Sequence, residues 1–185
     1  MKSRVITELL AHNKRFVFEK AYTPYETDKY PNKKLAVVAC MDARLVELLP
    51  VALGLKNGDA NIIKVAGSGV RDAFDVVMRS LLVSVYELGT EDILVIAHTN
   101  CGAQHMGYEE MFSRMSEAGI SQDTLRQCMN DGFDYKSWFE GFGDSETYVR
   151  NSVETIRTHP LMPRHIRISG YLMDSITGEL NEILC

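Results

Sequence analysis

Two cysteines and one histidine stand directly after runs of small and β-branched apolar residues: Leu35-Ala36-Val37-Val38-Ala39-Cys40-Met41-Asp42-Ala43-Arg44 and Ile93-Leu94-Val95-Ile96-Ala97-His98-Thr99-Asn100-Cys101-Gly102. Two thiolates and one imidazole make three zinc ligands. A structural zinc site closes its sphere with four protein ligands, whereas a catalytic one holds three and leaves the fourth position for water or substrate. Cys40, His98 and Cys101 with a single neighbouring carboxylate, Asp42, therefore point to catalysis.

Each of these residues also has a plainer role. A lone cysteine after a buried strand is usually a small core residue, and His98-x-x-Cys101 by itself says little. The weight comes from finding both groups at equivalent positions after two strands. Asp42 is a good helix N-cap for a helix expected to begin at Ala43. In the sharper reading Arg44 holds Asp42 by charge-assisted hydrogen bonds, so that the carboxylate accepts the hydrogen of the attacking oxygen and aims its lone pair. Released from Arg44, Asp42 becomes a possible fourth zinc ligand that shuts the site.

Other chemistries fit less well. A phosphatase- or rhodanese-like loop needs a longer span between cysteine and arginine than Cys40 to Arg44. A redox pair of Cys40 and Cys101 leaves His98 and Asp42 unexplained, and the non-enzyme rival is a zinc- or redox-sensing module using the same cysteines. Gly67-Ser68-Gly69 hints at a dinucleotide loop, but Asp72 stands where the third glycine belongs. The small residues Ala66, Gly67 and Gly102 are instead expected to let backbone approach the metal pocket, with Val65 as its apolar wall. His105 is read as a solvated helix position, and Cys128 and Cys185 as bystanders.

The elements that must position these side chains alternate. Strands are expected at Leu35–Ala39, Asn61–Ala66, Asp92–Ala97 and His165–Tyr171, with helices at Arg44–Leu55 and Asp72–Leu88. Alternation of this kind predicts an α/β fold, a central mostly parallel sheet of order about 2-1-3-4 with helices on both faces. Tyr171–Leu180 reads as a strand end, a glycine turn and a possible fifth, edge strand. Ligands of such sheets bind beyond the carboxyl ends of the strands, where the order reverses; in that order the first and third strands are neighbours. The segment from Met106 to Pro163 is too long for one crossover. A helix to about Met115, short helical pieces through Trp138, and a capped helix near Ser145–Thr158 fill it.

The 185 residues suit one domain, 1–185, with an amphipathic helical arm over about 3–22 that packs on its own sheet or across a neighbouring subunit. No apolar run approaches the roughly 20 residues of a membrane span. The N-terminal segment also lacks the continuous apolar stretch of a secretory signal. A net charge of −5, without clustered lysine and arginine, argues against nucleic-acid partners. Four cysteines without a disulfide-like pattern fit a reducing, cytoplasmic setting.

These residues resemble the β-class carbonic anhydrases, which carry Cys-x-Asp-x-Arg after one strand and His-x-x-Cys after another. The likeness runs from about Leu35 to Gly102, includes Met78-Arg79-Ser80-Leu81 to Leu88-Gly89-Thr90, and resumes at 166–180 with Gly-Tyr-x-x-Asp-x-x-Thr-Gly-x-Leu. The resemblance implies zinc on Cys40, His98 and Cys101, a catalytic dyad of Asp42 and Arg44, and a homodimer or dimer-based homo-oligomer with the site near the subunit interface. It also implies reversible hydration of carbon dioxide to bicarbonate. Some relatives with this fold hydrolyse carbon disulfide or carbonyl sulfide, and their ligand set would look the same. One departure is visible: the family often has Ala-Gly-Gly-Arg after the second strand, where this chain has Ala66-Gly67-Ser68-Gly69-Val70-Arg71.

Overall fold

A computed structural model describes residues 3–185. The chain opens with α1 (Arg4–Phe18), capped by Ser3, whose Oγ accepts the Ile6 N–H at 3.3 Å. Then follow β1 (Leu35–Cys40), α2 (Leu45–Ala52), β2 (Ala60–Val65), α3 (Val76–Leu88) and β3 (Asp92–His98). The remainder is α4 (Tyr108–Glu117), α5 (Gln122–Asn130), α6 (Tyr135–Phe139), α7 (Ser145–Thr158), β4 (Arg167–Met173) and β5 (Leu180–Ile183).

The strands form one sheet in the order β2-β1-β3-β4-β5, parallel throughout except for the antiparallel edge strand β5. From β1 the chain moves to β2 on one side, then returns past β1 to β3 on the other. Right-handed crossovers in opposite directions put α2 on one face and α3 on the other. Strands buried on both faces read as continuous apolar runs. Ala36 and Val38 of β1 and Ile93 and Val95 of β3 pack with α3 and α7, while Val37, Ala39 and Ile96 pack with Leu45 and Leu49 of α2. Leu81 of α3 is completely buried, and truncating such a leucine to alanine costs about 2–5 kcal/mol.

Several boundaries differ from the sequence expectation. The helix expected to begin at Ala43, with Asp42 as its N-cap, starts at Leu45 and has no side-chain cap. The Asp42 carboxylate is instead taken up by residue 44: its Oδ1 accepts the backbone N–H of Arg44 at 2.9 Å. The helix expected from Asp72 starts at Val76, because Asp72 closes a tight turn onto the Phe74 N–H and Asp75 is the cap, accepting the Met78 N–H at 2.7 Å. The fourth strand runs two residues further than expected, to Met173, whose pairing with His98 and carbonyl bond to the Thr99 N–H extend the ladder. His105 lies in an exposed turn before α4, not in a helix.

Nothing in α1 is buried. Val5, Leu9, Val17 and Phe18 are all more than half exposed, so the helix does not pack on its own sheet.

Candidate metal centre

Parallel neighbours β1 and β3 end at the same edge of the sheet, and this alone brings Cys40 to His98. Thr99 and Asn100 then turn the chain. Asn100 adopts the left-handed region at φ 54°, which asparagine tolerates better than most residues, and Cys101 folds back toward Cys40. The two Sγ atoms lie 3.8 Å apart. A disulfide would need about 2.05 Å, and both cysteines are free. Two thiolates on one tetrahedral zinc, each about 2.3 Å from the ion, are separated by about 3.8 Å. The three candidate ligand atoms all lie within 4.8 Å of one another and all three residues are buried.

His98 is completely buried. Its Nδ1 lies 2.9 Å from the Thr99 carbonyl oxygen, which accepts only, so Nδ1 carries the proton. Nε2 is left with a free lone pair and no partner. A buried, unsatisfied imidazole nitrogen facing two sulfurs costs stability unless something electron-poor fills the gap. The donor set therefore fits a metal ion.

The two thiols differ. Burial pushes Cys40 up, but the adjacent His98 ring, the backbone N–H groups of Gly67 and Asp42, and Cys101 outweigh it and bring Cys40 down to about 6. Burial raises Cys101 to about 11, with the charge on Cys40 adding to the shift. Of the two, Cys40 is the readier to ionise, and a thiolate is the form that binds a metal.

Asp42 faces the same point, with Oδ2 at 4.0 Å from His98 Nε2. Arg44 grips it as a fork: Nε donates to Oδ1 at 3.0 Å and Nη2 to Oδ2 at 2.8 Å. The Arg44 side-chain and backbone donors hold the Asp42 carboxyl well below the usual carboxylate range. The fork is itself held, by the Asn100 carbonyl at 2.9 Å and Ser175 Oγ at 3.3 Å. Ser175 in turn lies 3.1 Å from Thr99 Oγ1, which also accepts the Ser175 N–H at 3.0 Å.

Thr99, Asn100 and Ser175 were not singled out from the sequence. The only trace of Ser175 there is its place at the unassigned position directly after Asp174 in the Gly-Tyr-x-x-Asp-x-x-Thr-Gly ending.

The expected pocket wall divides. Ala66 lines an apolar cavity of about 310 Å³, together with Ala103 and Phe142. Gly67, at φ 90°, stays close beneath Phe142, where an added Cβ would come within 3.3 Å of the ring. Val65 is not part of this wall. Ile63 and Val65 share the face of β2 that packs with the α3 and α7 core, whereas Lys64 points the other way and donates to the Leu45 carbonyl. Gly102 borders a separate cavity of about 250 Å³ with His105 and Met106. Among the sequence-selected residues, Cys40, Asp42, Arg44, His98 and Cys101 converge, and Ala66 and Gly67 adjoin them.

Residues 35–180 match the family model described as carbonic anhydrase. YvdA of Bacillus subtilis (strain 168), itself provisionally named a carbonic anhydrase, is 43% identical over 179 residues, covering 97% of this chain and 91% of its own. A carbon disulfide hydrolase of Acidithiobacillus thiooxidans is 32% identical over 160 residues, 80% of this chain and 76% of its own. The crystal structure of β-carbonic anhydrase isoform I from Trichomonas vaginalis, 32% identical, superposes with a TM-score of 0.84 over 99% of this chain and 98% of that one.

Proposed function

The chain belongs to the β-class carbonic anhydrase family, and from that premise we propose that it hydrates carbon dioxide reversibly to bicarbonate and a proton, with zinc on Cys40, His98 and Cys101. The observation that carries this reading is the convergence of three ligand atoms on a buried point beside one carboxylate that Arg44 holds aside. When bound, zinc supplies Lewis acidity that lowers the pKa of a coordinated water toward about 7.

The protein's own groups do the rest. Thr99 fixes the His98 tautomer, so that Nε2 is the ligand atom. Asp42, ionised throughout the neutral range, only accepts hydrogen bonds; its role is to orient the attacking oxygen by its hydrogen, and it is too acidic to retain the proton. Arg44 keeps Asp42 at this task and out of the ligand set. The apolar surface of Ala66, Ala103 and Phe142 suits an uncharged linear substrate. The proton passes to buffer.

Hydrolysis of carbon disulfide or carbonyl sulfide is the second reading, favoured by the similarity to the Acidithiobacillus enzyme. Oxygen-18 depletion from labelled carbon dioxide, followed by mass spectrometry on zinc-loaded protein, tests the proposal. Depletion well above the uncatalysed rate supports it. Depletion at the uncatalysed rate, with carbon disulfide consumed in parallel, transfers the function to the second reading.

We also place the protein in a homodimer or dimer-based homo-oligomer, with α1 lying across the partner subunit. Its exposed apolar residues and lack of any buried residue support that arrangement. Among the described residues no helix is long and apolar enough to cross a membrane. A reducing cytoplasmic setting would keep both thiol ligands available.

A further inference from the structure

The cavity that Ala66 and Phe142 share adjoins the metal ligands. Phe142 packs in the same apolar cluster as Cys40 and Cys101, and Gly67 lies beneath its ring. On its outer side this cavity meets a second, of about 530 Å³, that opens toward solvent. The two have Arg71, Trp138 and Tyr148 in common. Trp138 and Phe139 of α6 wall the inner cavity.

Alpha-helix α6 has only 5 residues. So short a helix does not hold its own shape in water, and its last carbonyls have no donors within the helix. The Glu140 N–H reaches the Ser137 carbonyl at 3.3 Å, and Arg71 supplies the other donors. Nη1 donates to the carbonyls of Ser137 at 3.3 Å and Trp138 at 3.0 Å, and Nη2 donates to that of Glu140. The Arg71 backbone is fixed at the other end, where its N–H donates to Asp75 Oδ2, on the residue that caps α3, at 3.1 Å. One planar guanidinium thus ties the start of α3 to the end of α6, spreading its donors over three carbonyls in a fixed fork that a compact ammonium does not reproduce.

We propose that Arg71 is a positioning residue for the hydration reaction: by pinning α6 it holds Trp138 and Phe139 as the outer wall of the apolar cavity beside the metal ligands, and so sets how tightly substrate is held there. The proposal rests on the reading of the site as a carbon dioxide hydratase. The Arg71 guanidinium lines the cavity but is committed to the α6 carbonyls and to no metal ligand, so its effect belongs to substrate retention and not to the chemical step. A loosened wall raises KM and leaves kcat nearly alone.

The test uses the full zinc-loaded chain, with Arg71→Met, which keeps the apolar stem but no donors, and Arg71→Lys. Trp138 is the only tryptophan, so acrylamide quenching of intrinsic fluorescence reports on α6 independently of turnover. Arg71→Met is expected to raise KM for carbon dioxide about fivefold with kcat within about twofold of wild type, and to make Trp138 clearly more quenchable. Arg71→Lys is expected to fall between. A lowered kcat with unchanged KM is what a merely structural role would give, and overturns the proposal. If Arg71→Met does not fold, Trp138→Ala removes the wall directly from an exposed position; the same rise in KM supports the proposal and an unchanged KM overturns it. Should wild type hydrate no carbon dioxide, the functional reading fails first. The pinning is then judged by quenching alone: equal values in wild type and Arg71→Met overturn it, and a rise in the variant sustains it.

Discussion

Replacing Arg44 by alanine should convert Asp42 from a neighbour of the metal into a ligand. In the native chain three hydrogen bonds hold the carboxylate: Nε at 3.0 Å and the backbone N–H at 2.9 Å on Oδ1, and Nη2 at 2.8 Å on Oδ2. Alanine keeps only the backbone bond. Oδ2 already stands 4.0 Å from His98 Nε2, while nitrogen and oxygen ligands on one tetrahedral zinc are about 3.4 Å apart, so a closure of ~0.6 Å suffices. A modest side-chain rotation covers that distance. With the fourth position taken, hydration should fall about 100-fold, a scale typical of misplacing or removing one aligned group. Zinc should stay at about one per chain. Stopped-flow hydration gives the rate, and X-ray absorption gives a sphere of two sulfurs, one nitrogen and one carboxylate oxygen. Arg44→Lys should not rescue, because an ammonium does not grip a carboxylate in fork geometry. Near-normal hydration by Arg44→Ala would refute the idea that the guanidinium governs Asp42.

Cys101→Ser should lose most of its zinc by elemental analysis while keeping the sheet, because Cys101 sits on the turn after β3 and not within a strand; full zinc retention would place the ion elsewhere. Removal of residues before Tyr22 should shift sedimentation toward smaller species, since α1 buries nothing within its own chain, and an unchanged assembly would count against the proposed arm. Asp174 is held below the usual carboxyl range by the backbone N–H of Thr177 and then of Ile176. Its contribution to stability is full above its unfolded pKa of about 3.9 and is lost as pH falls through the lowered native value. Asp174→Asn should therefore show a shallower drop in Tm between about pH 5 and pH 2 than wild type, and identical slopes would show that this turn is not linked to acid unfolding.

The candidate metal-binding group was legible because short-range pattern alone places it: an apolar run ending in Cys40, another ending in His98, and a three-residue step to Cys101. The sheet order follows from the same alternation, and β5 from a glycine turn. What supports the ligands was not legible. Asn100 matters through a positive φ, which residue type suggests only weakly. Ser175 meets Arg44 across 131 positions of sequence, and Arg71 meets α6 across 66 to 69. Such pairings are set by tertiary packing and leave no local periodicity. The start of α2 was misread because capping residues and ion-pair residues are of the same type, and at Asp42 the side chain was already committed to Arg44. Val65 pairs with Cys40 in the sheet yet packs with the α3 and α7 core, a partition that a strand-end apolar residue does not reveal in sequence. The amphipathic pattern of α1 revealed an apolar face but not what covers it.

The central claim is that this donor set, with its clamped carboxylate, hydrates carbon dioxide. A stopped-flow measurement of proton release on mixing zinc-loaded protein with dissolved carbon dioxide tests it most directly, with zinc-free protein as the control. Zinc-dependent proton release far above the uncatalysed rate, abolished on stripping the metal and restored on adding it back, is the predicted result. Proton release at the uncatalysed rate from protein shown to carry one zinc per chain would contradict the account.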